Sequence, residues 1–169
     1  DIIAALCGEL EFDNGKTLIL SGDKDFIQLQ KWNNVKQYSP MTKKFIKEDN
    51  PVTYITEHIF KGDSSDGVPN ILSPDNTFVD SIRQSPVTKK KIQAWIDGID
   101  DLKSVMDEET YRNYCRNKKL IDLSETPNDL RENIINSYDN TKPAHKMKVL
   151  NYLIKNRMKM LIESVEEFY

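Results

Sequence analysis

The sequence predicts an α/β fold in which a small sheet near the N-terminus is followed by a mostly helical remainder. Three observations predict it. Thr17-Leu18-Ile19-Leu20 is a short apolar run bounded by turn residues, the pattern of a strand buried on both faces of a parallel sheet. Residues 35–38 and 43–47 are two further strand-like runs around Ser39-Pro40, which suits a hairpin at a sheet edge. Beyond residue 50, apolar residues recur at helical spacing in segment after segment. The change places a boundary between residues 1–50, the α/β portion, and residues 51–169, the helical portion.

Residues 1–10 put Ile2, Ile3, Leu6 and Leu10 on one helical face, and Asp13-Asn14-Gly15 supplies the turn that ends this helix. After the first strand, Ser21-Gly22-Asp23-Lys24-Asp25 leads into a short helix at residues 26–29. Asn50-Pro51 reads as a helix start, with Asn as N-cap and Pro in the first turn. Val52, Ile55, Ile59 and Phe60 form the stripe of that helix, and Gly62 stops it. A stretch rich in Gly, Pro and Ser covers residues 62–74. Helices follow near residues 88–96, 100–106, 108–117, 128–138 and 144–168, the last with a break. Its stripe of Met147, Leu150, Ile154, Met158 and Leu161 reads as core.

Composition narrows the class. The chain has 169 residues, 38% hydrophobic and 30% charged, enough for one domain with a core or two small lobes. No apolar run reaches the roughly 18 residues of a membrane span. Nothing at the start reads as a secretory signal, so the expected location is the cytoplasm, that of the host if a phage encodes the chain. Two cysteines, Cys7 and Cys115, support neither a disulfide framework nor a four-ligand zinc site. A net charge of -3 argues against a basic nucleic-acid coat but leaves local patches open. Between residues 141 and 160 the bases Lys142, Lys146, Lys148, Lys155, Arg157 and Lys159 stand without an acid, either a solvated face or a phosphate-contacting one. Because the chain opens on Asp1 and an apolar run, an N-terminal part of the gene product is expected to precede it.

Two acidic pairs carry the candidate chemistry. Asp23 and Asp25 leave the C-terminal end of the first strand, the edge where open parallel sheets bind ligands. Asp63 and Asp66 follow in Gly62-Asp63-Ser64-Ser65-Asp66-Gly67, three apart and so on one side if that segment opens a helix. Oxygen-only ligands favour a hard ion, Mg²⁺ or Mn²⁺, and four carboxylates are about what a two-metal site requires. The plainer readings are that Asp23 caps the next helix and that the second pair is a polar loop. An EF-hand is excluded, because Pro74 stands where the bidentate Glu belongs. A haloacid-dehalogenase-like phosphatase is a lesser alternative. It expects Thr or Val where Ile27 stands, and a strand before Asp63 where this sequence predicts a helix. His58 and His145 lack a sequence partner at metal or triad spacing, and Trp32 and Trp95 stand singly, so all four are expected to be structural.

Leu18-Ile19-Leu20-Ser21-Gly22-Asp23-Lys24-Asp25-Phe26, followed by Gln28-Leu29, resembles the Asp-x-Asp motif of the 5′-nuclease, or flap endonuclease, superfamily. Gly62-Asp63-Ser64-Ser65-Asp66-Gly67-Val68-Pro69-Asn70-Ile71 is similar to its next motif, Gly-Asp-x-x-Asp-Asn-[Ile/Val]-Pro-Gly-[Ile/Val]. Residues 35–44, 111–114, 120–122 and 133–136 are similar to one branch, the ribonuclease H of T-even-type bacteriophages, so the resemblance covers nearly the whole chain. It implies the C-terminal part of a PIN-like nuclease core, then a helical DNA-binding subdomain with a helix–three-turn–helix element at about residues 52–90. The chain would then be the C-terminal half of such an enzyme, with Asp1 ending a Glu-Ala-Asp-Asp motif. The sequence departs from the family at Asn70, where a second Gly is usual.

The resemblance further implies that Asp23, Asp25, Asp63 and Asp66 bind or orient two Mg²⁺ ions, with Mn²⁺ able to substitute. The implied activity is 5′→3′ hydrolysis at 5′ ends or flaps of duplex DNA and of RNA·DNA hybrids, which removes RNA primers in phage replication. The half-chain alone would be inactive. Lys43, Lys44, Lys61, Gly67, Val68, Asn70, Lys89 and Lys90 are the implied DNA contacts. Forked DNA, a single-strand-binding protein or a sliding clamp are further implied partners, with the protein a monomer. The competing class is a module that binds structured DNA without cleaving it.

Overall fold

The computed structural model describes residues 1–12, 15–142 and 145–168. The expected turn at Asp13-Asn14 and the start of the last helix at Ala144 lie outside the described residues, as does the side chain of Leu10. The chain divides into two compact units, Asp1–Ile135 and Asn136–Tyr169.

In the first unit, α1 (Ile2–Phe12) precedes β1 (Thr17–Leu20), a 3-10 helix (Lys24–Lys31), β2 (Val35–Ser39) and β3 (Lys44–Ile46). The sheet has the order β1-β2-β3. β1 pairs in parallel with β2, Thr17 opposite Val35 and Leu20 opposite Tyr38, and β2 runs antiparallel to β3. The parallel strand and the edge hairpin thus form as expected. One face of the sheet is covered: Ile19, Leu29 and Val35 close a core with Ala4 and Cys7, flanked by Phe26, Trp32 and Leu123.

Two burial expectations are corrected here. β1 is an edge strand, and Leu18 and Leu20 lie 53% and 65% exposed on the open face, beside Phe45 and its edge-on partner Tyr38. Helix α1 buries Ala4, Ala5 and Cys7 and leaves Ile2 and Ile3, on the apolar face read in the sequence, exposed.

Helix α2 (Pro51–Lys61) starts as its sequence requires. The Asn50 side chain accepts from the Thr53 N–H at 3.0 Å, and Pro51 occupies the first turn. It buries Ile59 and Phe60, with Ile55 half-buried, whereas Val52 faces solvent. An irregular stretch, residues 62–88, leads to α3 (Lys89–Asp97). A short 3-10 turn (Ile99–Asp101), α4 (Leu102–Val105) and α5 (Glu108–Ile121) follow, and α6 (Asn128–Asn140) begins in this unit and runs past its end at Ile135. Phe60, Ile71, Ile92, Trp95 and Leu102 make the helical core, and Ile59, Val68 and Ile121 a smaller one beside it. Buried Gln28 joins the α/β and helical parts: its Nε2 donates to the Ile121 carbonyl at 3.1 Å and its Oε1 accepts from the Leu123 N–H at 2.9 Å.

The second unit holds α7 (Lys146–Lys155), α8 (Lys159–Glu163) and a 3-10 turn (Val165–Phe168). Leu153 is its one buried apolar side chain among the described residues, while Met147, Ile154, Met158 and Leu161 are exposed. The stripe expected to be core is therefore an open face, since two short helices provide no second layer to cover it. His145 caps α7, its Nδ1 accepting from the Met147 N–H, and Lys146 pairs with Glu166. No helix among the described residues is long and apolar enough to cross a membrane.

Candidate metal centre

The site forms where the C-terminal end of β1 meets the C-terminal end of α2. Beyond Leu20 the chain leaves the sheet, and Gln37, fully buried on β2, holds the departing backbone. Its Nε2 donates to the carbonyls of Ser21 (3.0 Å) and Asp23 (2.6 Å). Asp23 then caps the 3-10 helix, one carboxylate oxygen accepting from the Asp25 N–H at 3.0 Å. The capping role foreseen as the plainer reading of Asp23 is thus present, and the same residue still lines the cleft.

Helix α2 packs beside that 3-10 helix and ends at Gly62, which has φ +69° and ψ -179°, a conformation that non-Gly residues essentially never hold. The following loop closes on itself through a bridge between Asp63 and Val68, whose N–H donates to the Asp63 carbonyl at 2.7 Å. Within it, one oxygen of Asp63 accepts from the Ser65 N–H (2.8 Å), the Ser65 hydroxyl and the Asp66 N–H (3.3 Å). The other oxygen, Oδ2, is within hydrogen-bond distance of His58 Nε2.

Asp23, Asp25, Asp63 and Asp66 line one open polar cleft of about 590 Å³, together with Lys24, His58 and Gly62–Ser65 backbone and side chains. The structure thereby brings together all four acids singled out in the sequence. It also adds a residue that sequence reasoning had set aside. His58 Nε2 lies 3.2 Å from Asp63 Oδ2 and 3.9 Å from Asp25 Oδ1. Donor atoms of Asp25, His58 and Asp63 all fall within 4.8 Å of one another. The expectation that His58 lacks a partner is corrected: Asp63 and Asp25 reach it through the packing of α2 on the 3-10 helix, which no spacing rule reports. The available signal was its place one turn before the end of a helix that leads directly into an acidic loop.

Protonation of the two inner acids is pushed in opposite directions. Burial, and then the neighbouring charge of Asp23, raises Asp25 above the usual carboxylate range, an effect that His58 partly offsets. Donation by the Ser65 hydroxyl chiefly, with the Ser65 and Asp66 backbone amides, lowers Asp63. Apposed carboxylates that repel one another and keep free lone pairs are chemically suited to a divalent cation, which relieves the repulsion.

The other sequence candidates lie elsewhere. Lys43, at φ +55°, and Lys44 are exposed at the β2–β3 turn. Lys61 is exposed and pairs with Glu57. Lys89 and Lys90 are exposed in the first turn of α3, a placement the helix dipole disfavours. Gly67, at φ +73°, is exposed, and a Cβ there would meet nothing within 4 Å. Val68 and Asn70 are buried, each 7% exposed. Asn70 spends its groups internally: its N–H donates to Gln84, its side-chain amide to the Ser85 carbonyl, and its Oδ1 accepts from Leu72 and Ser73. Asp1 is not in the cleft; its carboxylate accepts from the Thr126 hydroxyl at 3.1 Å.

The fold is mixed α/β and mostly helical, with four carboxylates gathered in one cleft at the C-terminal end of a parallel strand, the edge where α/β sheets bind ligands. Comparison with known proteins specifies the class. The family model of the C-terminal part of T4 RNase H matches residues 50–168. The chain is also 32% identical over 173 residues to Ribonuclease H of Enterobacteria phage T4, an alignment covering 99% of this chain and 57% of that protein. The chain therefore belongs to the T4 RNase H C-terminal family and spans little more than half the length of the curated relative it matches.

Proposed function

We propose that this chain supplies the C-terminal half of a metal-dependent 5′→3′ nuclease of the ribonuclease H and flap endonuclease type. The substrates are 5′ ends or flaps of duplex DNA and RNA·DNA hybrids, and the task is removal of RNA primers in phage replication. The observation that carries this reading is the convergence of Asp25, His58 and Asp63 donor atoms within 4.8 Å, in a cleft that Asp23 and Asp66 also line. The relative's name and the family matched by residues 50–168 support a nuclease.

Asp23, Asp25, Asp63 and Asp66 would hold two Mg²⁺ ions, for which Mn²⁺ may be exchanged. Bound there, the ions would supply a water nucleophile at neutral pH and charge stabilisation for the leaving 3′ oxygen. The protein's own contribution is placement. Gln37 fixes the backbone that carries Asp23 and Asp25, and the turn made by Ser65 and Asp66 engages one Asp63 oxygen and leaves the other toward His58 and the cleft. The exposed Gly67 amide, and Lys43, Lys44, Lys61, Lys89 and Lys90, are suited to phosphate contacts that position a duplex without reading its bases. Residues 52–90 would act as the helix–three-turn–helix grip, and residues 1–50 as the end of the nuclease core. The open face of Leu18, Leu20 and Phe45 is suited to a covering layer contributed by a longer protein. By itself the chain is expected to be a monomer without activity.

The test is Mn²⁺ binding by the chain, followed by titration calorimetry, beside its Asp25→Asn/Asp66→Asn variant. The reading expects Mn²⁺ affinity to fall at least about tenfold in the variant, and the longer nuclease carrying the same changes to lose flap cleavage. Unchanged Mn²⁺ affinity with retained or improved DNA affinity would overturn it in favour of a non-cleaving DNA-binding module.

A further inference from the structure

All four cleft acids offer a cation oxygen alone, but the cleft also holds a nitrogen. His58 Nε2 stands 3.2 Å from Asp63 Oδ2 and 3.9 Å from Asp25 Oδ1. Ligands about 2.1 Å from a shared ion are about 3.0 Å apart when adjacent at right angles and about 4.2 Å apart when opposite. Both measured separations fall within that span. The imidazole is also held in place before any ion arrives. Tyr54, one helical turn earlier on α2, stacks on it nearly parallel, 6.0 Å between centroids and 9° between planes. The ring is 21% exposed and faces the cleft from the last turn of a capped helix, where Gly62 donates its N–H to the His58 carbonyl at 2.9 Å.

We propose that His58 Nε2 is itself a metal ligand, so that Asp25, His58 and Asp63 form a mixed nitrogen–oxygen position that prefers a first-row transition dication to Mg²⁺. The inference rests on the reading of the cleft as a metal centre and deepens it. Imidazole raises affinity for Mn²⁺ and its heavier neighbours, whereas Mg²⁺ binds oxygen and keeps much of its water. Asp23 and Asp66, which also line the cleft, offer carboxylate oxygens alone, the donors that Mg²⁺ takes. Donation of an Nε2 hydrogen to Asp63, with no bond to the metal, is the competing role for this ring.

Pulsed electron paramagnetic resonance of Mn²⁺ bound to the untagged 169-residue chain separates the two. The protein contains two histidines, so the assignment is direct. Imidazole ¹⁴N modulation should appear in the unsubstituted chain, persist in His145→Gln and vanish in His58→Gln. In His58→Gln the ratio of Mn²⁺ to Mg²⁺ affinity should fall about tenfold or more, the lower end of what loss of even an outer-shell partner costs. If His58→Gln fails to fold, His145→Gln alone decides, because His58 is then the sole imidazole. Bound Mn²⁺ without ¹⁴N modulation would overturn the ligand role and leave the metal centre standing. No bound Mn²⁺ at millimolar concentration would overturn both.

Discussion

Residues 62–68 and residues 69–85 are consecutive and irregular, and both depart from the C-terminal end of α2, yet their polar groups face opposite ways. The first segment satisfies itself locally, through the Asp63 turn and the Asp63–Val68 bridge, and leaves carboxylate oxygens toward the cleft. The second is tied down from outside by α5. Asn117 donates to the carbonyls of Ile59 (2.9 Å) and Pro69 (2.8 Å), and Asn113 donates to those of Ile71 (3.1 Å) and Ser73 (3.4 Å). Arg116 adds a bond to Pro69 at 3.0 Å and pairs with Asp75. The difference follows from what each segment must do with its backbone. Buried irregular chain needs side-chain donors for its carbonyls, and two fully or nearly fully buried asparagines provide them. A segment that takes up a cation has to keep lone pairs unspent.

The contrast can be broken hardest at Gly62, which packs against Val68 and Pro69 at the junction of the two segments. A Cβ there would stand 2.4 Å from the Val68 carbonyl oxygen and 2.6 Å from that of Pro69. Gly62→Ala should cost about 3 kcal/mol or more, combining backbone strain of about 1–3 kcal/mol with overpacking of similar size. Urea denaturation measures it, and a midpoint close to that of the unsubstituted chain would show that the junction is not rigid.

Asn117→Ala comes next. It strands the Ile59 carbonyl and leaves that of Pro69 to Arg116 alone, for a loss of about 1–3 kcal/mol. Mn²⁺ affinity should suffer far less than in Asp25→Asn, because the cleft acids do not depend on α5 for their hydrogen bonds. Equal losses in the two variants would mean the segments act as one.

A subtler effect distinguishes the acids inside the cleft. In the metal-free chain, NMR titration of the carboxyl carbons should find Asp63 ionising below, and Asp25 above, the ordinary aspartate range. The signs for stability are opposite. Asp63, lowered on folding, contributes stability above its unfolded pKa that is lost as pH falls through its folded value. Asp25, raised on folding, favours the fold below its unfolded pKa, and that contribution disappears as pH rises through its folded value. Bound cation should erase the Asp25 anomaly.

The smallest change is expected from Arg112→Ala. Its pair with Asp75 is 60% exposed on both sides, and such pairs contribute about 0–1 kcal/mol. A loss above that in a double-mutant cycle with Asp75→Ala would show the outer face of the second segment to be as firmly held as its inner one.

Much of this molecule is local and therefore legible in sequence. Asn50-Pro51 and Gly62 delimit α2, Thr88 caps α3 and Asp107 caps α5, the Asn50, Thr88 and Asp107 side chains each accepting from a backbone N–H three residues on. The two acidic pairs are likewise visible as short motifs at the ends of predicted elements. Burial is where sequence reasoning fell short. Ile2, Leu18, Val52 and Ile154 all read as core and all face solvent, because periodicity identifies a face without saying whether another layer covers it.

By itself the sequence determined the Asn50 cap, the β2–β3 hairpin and the two acidic pairs, since each depends on neighbours a few residues away. Only the tertiary structure decided that His58 stands between Asp25 and Asp63, that Asn70 turns inward, and that Asn113 and Asn117 anchor the loop beyond α2. Those contacts join residues far apart in the chain, and they are selected by how helices and sheet pack rather than by any local preference of the residues that make them.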